Sequence, residues 1–565
     1  ALGCATHYSD PIAVLNLEPV IVELQQKIQD PDYIRQLARR LLLDNPHRVT
    51  LVMTPDTELS AHRLAQEAAR LADIKAAMSD AQRSATVQLA ADLSARQAQV
   101  DDDSILPKVE LSDVPATLPE PTFTKTELHG MPFTTYGQGT NGIVYQQATA
   151  PLPALSEQQL QILPLYTNIL TDVGLGDQSY MDVQERQAAT VGSIAGFVSM
   201  RGHADDEQRV SANFTLSSKA LLRNARDQAQ LMSDTLHEVK FSETSRIRDL
   251  VNQQRARRDQ SITGSGHSLA MAAASAGMSP LARLHHHQSG LAGIRQLRVL
   301  DDSLADDVCL EAFAQDVKEL HKSLISAPMQ FLVIAEDDKV TDVALDISTL
   351  WSQVSTVEER PRFQMTSIRE QRGEMWLTNT QVNFCARAYP TVTEQHPDAA
   401  ALTVLGGFLR NGFLHRAIRE QGGAYGGGAS HDSGIAAFRF YSYRDPRLVE
   451  TLQDFDASVS WILDTRHDGR SLEEAILGVI GSMDKPGSPA GEAKQHFHNR
   501  LSGRNHETRE RFRENVLGVS LDDLRRVTET YLKPDLASTA IVTNAGQLEA
   551  TKSLRDELNL TVQEL

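Results

Sequence analysis

Apolar side chains recur at helical spacing over residues 18–28 and 31–43, and Asp30 before Pro31 suits a cap and a first turn. Asn45-Pro46 breaks that pattern, and Thr50 to Thr54 reads as a short strand. From Thr57 to Gln99 the chain is rich in Ala, Leu, Gln, Arg and Glu with almost no breakers. This predicts a helical hairpin interrupted near Ser79-Asp80, of the kind that bridges two larger bodies. Asp101 to Asp103, followed by the prolines between Pro107 and Pro121, predicts an extended linker.

From Thr122 onward the period shortens to that of strands: Phe123–His129, Phe133–Tyr136 and Gly142–Gln147. Helices follow at 156–173 and 180–190, strands at 193–201 and 209–218, and long helices at 220–237 and 242–260. More helices lie between Gly266 and Leu324, and Gln330–Ala335 is a strand. The order then recurs. Strands between Glu374 and Tyr389, helices at 399–409 and 413–420, a glycine loop at 422–428 and a strand at 434–443 precede five helices. A strand at 538–542 and a last helix close the chain. The junctions Thr190–Gly196 and Gly423–Ala429 correspond at an offset of about 230 residues, too long for a solenoid unit and right for a duplicated domain. The expected fold is α+β: two homologous domains, each an antiparallel sheet with helices, at 122–336 and 337–565. They follow a hairpin and linker at 57–121.

Composition removes some functions. Lys and Arg total 55 against 74 Asp and Glu, a net charge of −19. A nucleic-acid binder needs a basic footprint, so that class is excluded, whereas cationic peptides suit an acidic cavity. A solvated acidic surface explains the charge equally well. No apolar run has the length of a membrane span. Cys4, Cys309 and Cys385 are odd in number and far apart, which disfavours a disulfide framework and favours a reducing compartment, cytoplasm or organelle matrix. The chain begins at Ala1 without Met, and the expectation is that it is cut from something longer.

The metal motifs fail on spacing. His237-Glu238 opens the pattern His-Glu-x-x-His, but Phe241 stands at the second ligand, and His-x-x-Glu-His is absent. His285-His286-His287 and His496-x-His498 are surface-type clusters, and no metal ligand is assigned. Ser430-His431-Asp432 is a coincidence of neighbours, since triad members meet in space. One segment stands out. Five glycines surround Tyr425 between Gly422 and Gly428, and Arg419 lies six residues upstream. Glycine at a strand entrance admits another backbone, and a hydroxyl with a guanidinium suits a developing oxyanion. By spacing alone, a helix C-cap and a flexible loop account for the cluster better.

Arg419-Glu420-Gln421-Gly422-Gly423-Ala424-Tyr425-Gly426-Gly427-Gly428, with Tyr441-Ser442-Tyr443-Arg444-Asp445-Pro446 after it, closely resembles the C-terminal half of presequence proteases. These form a branch of the pitrilysin/insulinase family of zinc metallopeptidases. Asn141–Tyr145, Leu111–Val114 and Asn45–Leu51 support the resemblance, which spans the whole chain. It implies four α+β domains in two halves joined by a helical hairpin around a peptide chamber, with residues 1–56 of this chain the C-terminal tail of a preceding α+β domain. Zinc and its glutamate base would lie in an N-terminal half, in the same polypeptide or a separate chain. The equivalent helix here reads Leu163-Pro164-Leu165-Tyr166-Thr167-Asn168, without ligands, so this chain alone is expected to bind no zinc and cleave nothing. Arg419 and Tyr425 are implied as catalytic, stabilising the tetrahedral intermediate, and Gly423, Ala424, Gly426 and Gly427 as the surface for the peptide backbone. Two other readings stay open: a non-catalytic subunit of a two-chain peptidase, and a structural homologue without activity.

Overall fold

The structure, a computed structural model, describes residues 2–99, 105–352 and 361–565. The Asp101–Asp103 run therefore lies outside the described residues. The chain divides into two units, 1–107 and 108–565.

The first unit is helical. Short helices occupy Leu2–Thr6, Pro11–Leu15, Glu18–Lys27 and Tyr33–Ala38, and two long ones occupy Leu59–Ala77 and Asp80–Ala98. The hairpin breaks at Ser79, whose side chain accepts from the Gln82 N–H while the Gln82 side chain accepts from the Ser79 N–H. That reciprocal box restarts the helix directly after the first one ends. Thr50–Thr54, read as a strand from its sequence, has no ladder partner. Pairing, not local preference, is what makes a strand.

The second unit contains two six-stranded sheets. The first comprises β1 (Thr124–Leu128), β2 (Met131–Gly137), β3 (Ile143–Pro151), β4 (Ser193–Gly202), β5 (Val210–Leu221) and β6 (Gln330–Ala335). The second comprises β7 (Gly373–Leu377), β8 (Phe384–Pro390), β9 (Gly426–Asp432), β10 (Ala437–Tyr443), β11 (Ser538–Thr543) and β12 (Thr561–Glu564). Their orders are β1-β2-β6-β3-β5-β4 and β12-β7-β11-β8-β10-β9. Five strands correspond in order, β2-β6-β3-β5-β4 with β7-β11-β8-β10-β9, so the duplication read from the sequence is visible as topology. The sheets are mixed rather than purely antiparallel. β2 runs parallel to β6 and β7 parallel to β11, because in each half the later strand returns only after a long helical stretch. The copies differ at one edge, where β1 is antiparallel to β2 but β12 is parallel to β7.

One face of each sheet carries its own helices. Leu163, Tyr166, Phe214, Val317 and Trp351 meet in the first core, and Leu405, Phe440, Phe455 and Val527 in the second. The opposite faces are covered by exchange. Helix Gly266–Ser275, from the first half, packs on β8, β10 and β11 through Ala270, Ala273 and Ala274. Helix Pro489–Leu501, from the second half, places Ala490, Ala493 and Phe497 on Tyr136, Leu332 and Ile334 of the first sheet. Each is the third α-helix after its own hairpin strand, so the exchange is reciprocal.

Two boundaries shift from those expected. Helix Val340–Trp351 packs on the first sheet, with Trp351 and Phe331 rings 4.9 Å apart, so the first half extends beyond residue 336. Residues 108–121, expected to be part of an extended linker, are tied to the second unit. Arg470 donates to the Val109 carbonyl, Glu473 accepts from the Leu111 N–H, Leu118 is buried, and Glu120 meets His496.

Candidate active-site loop

The loop is built by a helix end and an edge strand. Arg410–Gln421 winds as a wide helix whose buried face is Leu414, Ala417 and Ile418. It closes with Gly423 N–H on the Arg419 carbonyl and Ala424 N–H on the Ile418 carbonyl. Gly423 has φ +78°, a left-handed conformation that a side chain would strain, which is why a glycine ends this helix. Tyr425 N–H then bonds the Tyr443 carbonyl at 3.0 Å, and β9 begins. β9 pairs with β10 alone and is the sheet edge.

Arg419 and Tyr425 are brought together. Arg419 Nη1 donates to the Tyr425 carbonyl at 2.9 Å, and its guanidinium lies 5.6 Å from the Tyr425 ring centroid. Tyr425 is nonetheless 64% exposed, unusual for a large ring with an organised contact shell. The Tyr443 ring stands perpendicular to it at 5.4 Å. Tyr443 is itself anchored, its hydroxyl donating to the Gly264 carbonyl and its ring 4.7 Å from His267, both from the first half. The Arg444 guanidinium lies 5.3 Å from the Tyr443 ring, on a backbone at φ +50°. Arg419, Gly423, Ala424, Tyr425 and Arg444 line a depression of about 400 Å³. Two exposed guanidiniums and one exposed phenol there can all donate to a carbonyl or carboxylate oxygen.

The four positions expected to face a peptide backbone separate. Gly426 opens on free space. Gly423 stands at the rim, with only Pro446 near. Ala424, by contrast, has its side chain in the second core. A Cβ at Gly427 would lie 2.8 Å from Ile418, so that glycine serves strand-on-helix packing. Sequence reasoning does not single out Arg444 and Tyr443 as site residues, although Tyr441–Pro446 is a visible motif. Its Asp445 is structural. Burial raises its pKa, its carboxylate accepts from Thr451 and the Arg447 N–H, and its backbone pairs with Asn383.

The histidine clusters point apart. His496 sits between the Tyr136 hydroxyl and Glu120, whereas His498 contacts the Gln147 amide. His286 is buried 3.8 Å from Glu374, and burial pulls its pKa down to about 4. His431 is packed against Thr403 and the Val392 carbonyl. Leu163, Leu165 and Tyr166 of the helix expected to lack ligands are core residues. Among the described residues no group of three His, Cys, Asp or Glu side chains is arranged to hold a metal. The described residues therefore do not fit a zinc ion.

Two family models match. One, described as associated with the C branch of the M16 peptidases, covers residues 53–300, and the other, the PreP C-terminal domain, covers 373–543. Between them the two matches support a chain similar to the C-terminal half of an M16 peptidase. It is 27% identical over 552 residues to the mitochondrial presequence protease of Danio rerio, covering 93% of this chain and 53% of that protein. It is 26% identical over 562 residues to the chloroplastic/mitochondrial presequence protease 1 of Arabidopsis thaliana, covering 97% and 50%. The chain thus spans about half the length of the curated relatives it matches. In fold it is similar to a crystallised peptidase M16 inactive domain from Pseudomonas fluorescens, with TM-score 0.54 and 13% identity over 75% of this chain and 98% of that one.

Proposed function

We propose that this chain is the C-terminal half of a zinc-dependent endopeptidase that degrades short unfolded, presequence-like peptides in a closed chamber. The carrying observation is the pairing of Arg419 with an exposed Tyr425 at the mouth of an edge strand. Such a pair can donate hydrogen bonds to a scissile carbonyl oxygen as it gains negative charge. Arg444 adds a second cation on the same depression. The zinc belongs to an N-terminal half, on the same or a separate chain. The exposed backbone edge at Gly426 supports a peptide as substrate, and the net charge of −19 suits basic ones. The mitochondrial and chloroplastic names of the relatives support an organelle matrix as location.

The test is reconstitution of this chain with the zinc-bearing half on a quenched basic peptide. Tyr425→Phe should lower kcat/KM about 10- to 100-fold, the loss of one oxyanion donor, with little change in substrate affinity. Unchanged kinetics in Y425F would make the pair structural, and no cleavage on mixing would favour a homologue that keeps the fold without activity.

A further inference from the structure

A second cavity, of about 360 Å³, lies among five helices on the core side of the first sheet, away from the Arg419 loop. Its floor is apolar, formed by Leu165, Leu297 and Phe313. That size and lining belong to sites for small ligands. Its wall contains an irregularity with a visible cause. Pro164 inside helix Glu157–Ile169 has no N–H for the Leu160 carbonyl, and Gln288 Nε2 crosses over to satisfy that oxygen at 2.6 Å.

Arg258 lines the same cavity. It is partly buried and has no carboxylate partner among the described residues, its hydrogen bond to the Ser289 carbonyl being a long 3.5 Å contact. The neighbouring Asp259 is taken by Arg298 and Arg255. Asp316, also in the lining, is engaged by Gln158 at 2.6 Å. A guanidinium removed from water without a counter-ion is costly, and burial lowers the pKa of Arg258 in line with that cost. An anion bound there would relieve it.

We propose that this cavity binds a small amphipathic carboxylate, its anionic head on Arg258 and its apolar body over Leu165, Leu297 and Phe313. Two sources share that chemistry, an acyl chain and the free C-terminus of a peptide ending in apolar residues. The site is independent of the Arg419/Tyr425 reading.

The experiment uses the full chain carrying Cys4→Ser, so that exposed Cys309 on the cavity lining reports occupancy by its alkylation rate. Decanoate and N-acetyl-leucyl-leucine are titrated by calorimetry and by protection of Cys309, with decanol and the dipeptide amide as uncharged controls. Saturable one-site binding of either acid, with Cys309 protected and the controls at least about tenfold weaker, is expected from the charge-assisted contact. Decanoate alone would identify an acyl site, and the dipeptide alone a peptide C-terminus site. Arg258→Gln should weaken binding about tenfold or more, the loss of that same contact. If R258Q does not fold, Gln296→Trp, an exposed lining position, should fill the cavity and abolish binding. Equal binding of decanol and decanoate, binding unchanged in R258Q or Q296W, or no binding of either acid would overturn the proposal.

Discussion

Gly427 and Gly426 are adjacent on β9 and look interchangeable in the sequence, yet they should respond oppositely to alanine. A Cβ at Gly427 would lie 2.8 Å from both Cδ1 and Cγ2 of Ile418 and 3.2 Å from its Cβ. Ile418 is fully buried and β-branched, so it has one comfortable rotamer and nowhere to move. Overpacking of this kind costs about 1–3 kcal/mol. At Gly426 a Cβ meets nothing within 4 Å, so G426A should change stability by no more than about 0.5 kcal/mol. The measurement is the urea midpoint by tryptophan fluorescence, Trp461 being packed on Phe408 and Phe413 near this helix. The cycle with Ile418→Ala sharpens it. I418A alone leaves a cavity costing about 2–5 kcal/mol, but it also removes the atoms that G427A strikes. The double variant should therefore be more stable than additivity predicts by about 1 kcal/mol or more. Strict additivity, or a G427A protein as stable as the parent, would refute the claim that this glycine exists for packing. In reconstituted enzyme the assignments reverse, because G426A obstructs the open edge and should raise KM while leaving Tm in place.

Acid should destabilise the second unit well before carboxylates titrate. His321 is buried, its Nε2–H on the Leu236 carbonyl and its Nδ1 accepting from Tyr166, so the ring is held neutral and its pKa falls to about 4. The folded pKa lies below the unfolded one of about 6.5, so this stability is present above pH 6.5 and is lost as pH falls toward 4, about 3 kcal/mol for one such group. His431 and His498 shift the same way through burial, so urea midpoints should fall steeply between about pH 6.5 and 4, and His321→Gln should flatten part of that slope. Phe497→Ala should cost about 3–5 kcal/mol, and hydrogen exchange should rise at β2, β3 and β6 although the residue belongs to the other half. Tyr443→Leu removes the edge-on support of Tyr425 and should lower kcat of the reconstituted enzyme about fivefold with KM little changed, the worth of one aromatic pair, whereas Tyr443→Phe should keep most of it.

The Arg419 loop shows how far sequence reading reaches. A helix running into Gly422-Gly423 requires a cap and a left-handed turn, which the sequence shows, but the stretch expected to be a glycine loop at 422–428 enters β9 at Gly426, and the pairing of that strand with β10 is what sets Tyr425 against Arg419. The contributions of Arg444 and Tyr443 were hidden because they come from the paired strand and its end, and register is a property of two segments together. The same limit separates Gly426 from Gly427: whether a missing Cβ faces solvent or Ile418 depends on how the strand lies on the helix.

Local periodicity, caps and breakers determined most elements of this protein, because they arise within a dozen residues of chain. The duplication was legible too, as the same order of elements recurring at a fixed offset. The alanine-rich stretch Leu269–Ala274 declares itself buried by composition alone. Only the tertiary structure decided that it covers the second sheet rather than its own, and that Pro489–Leu501 returns the exchange. Hydrophobic burial is non-directional, so it tells a segment to leave water without telling it which apolar face to join.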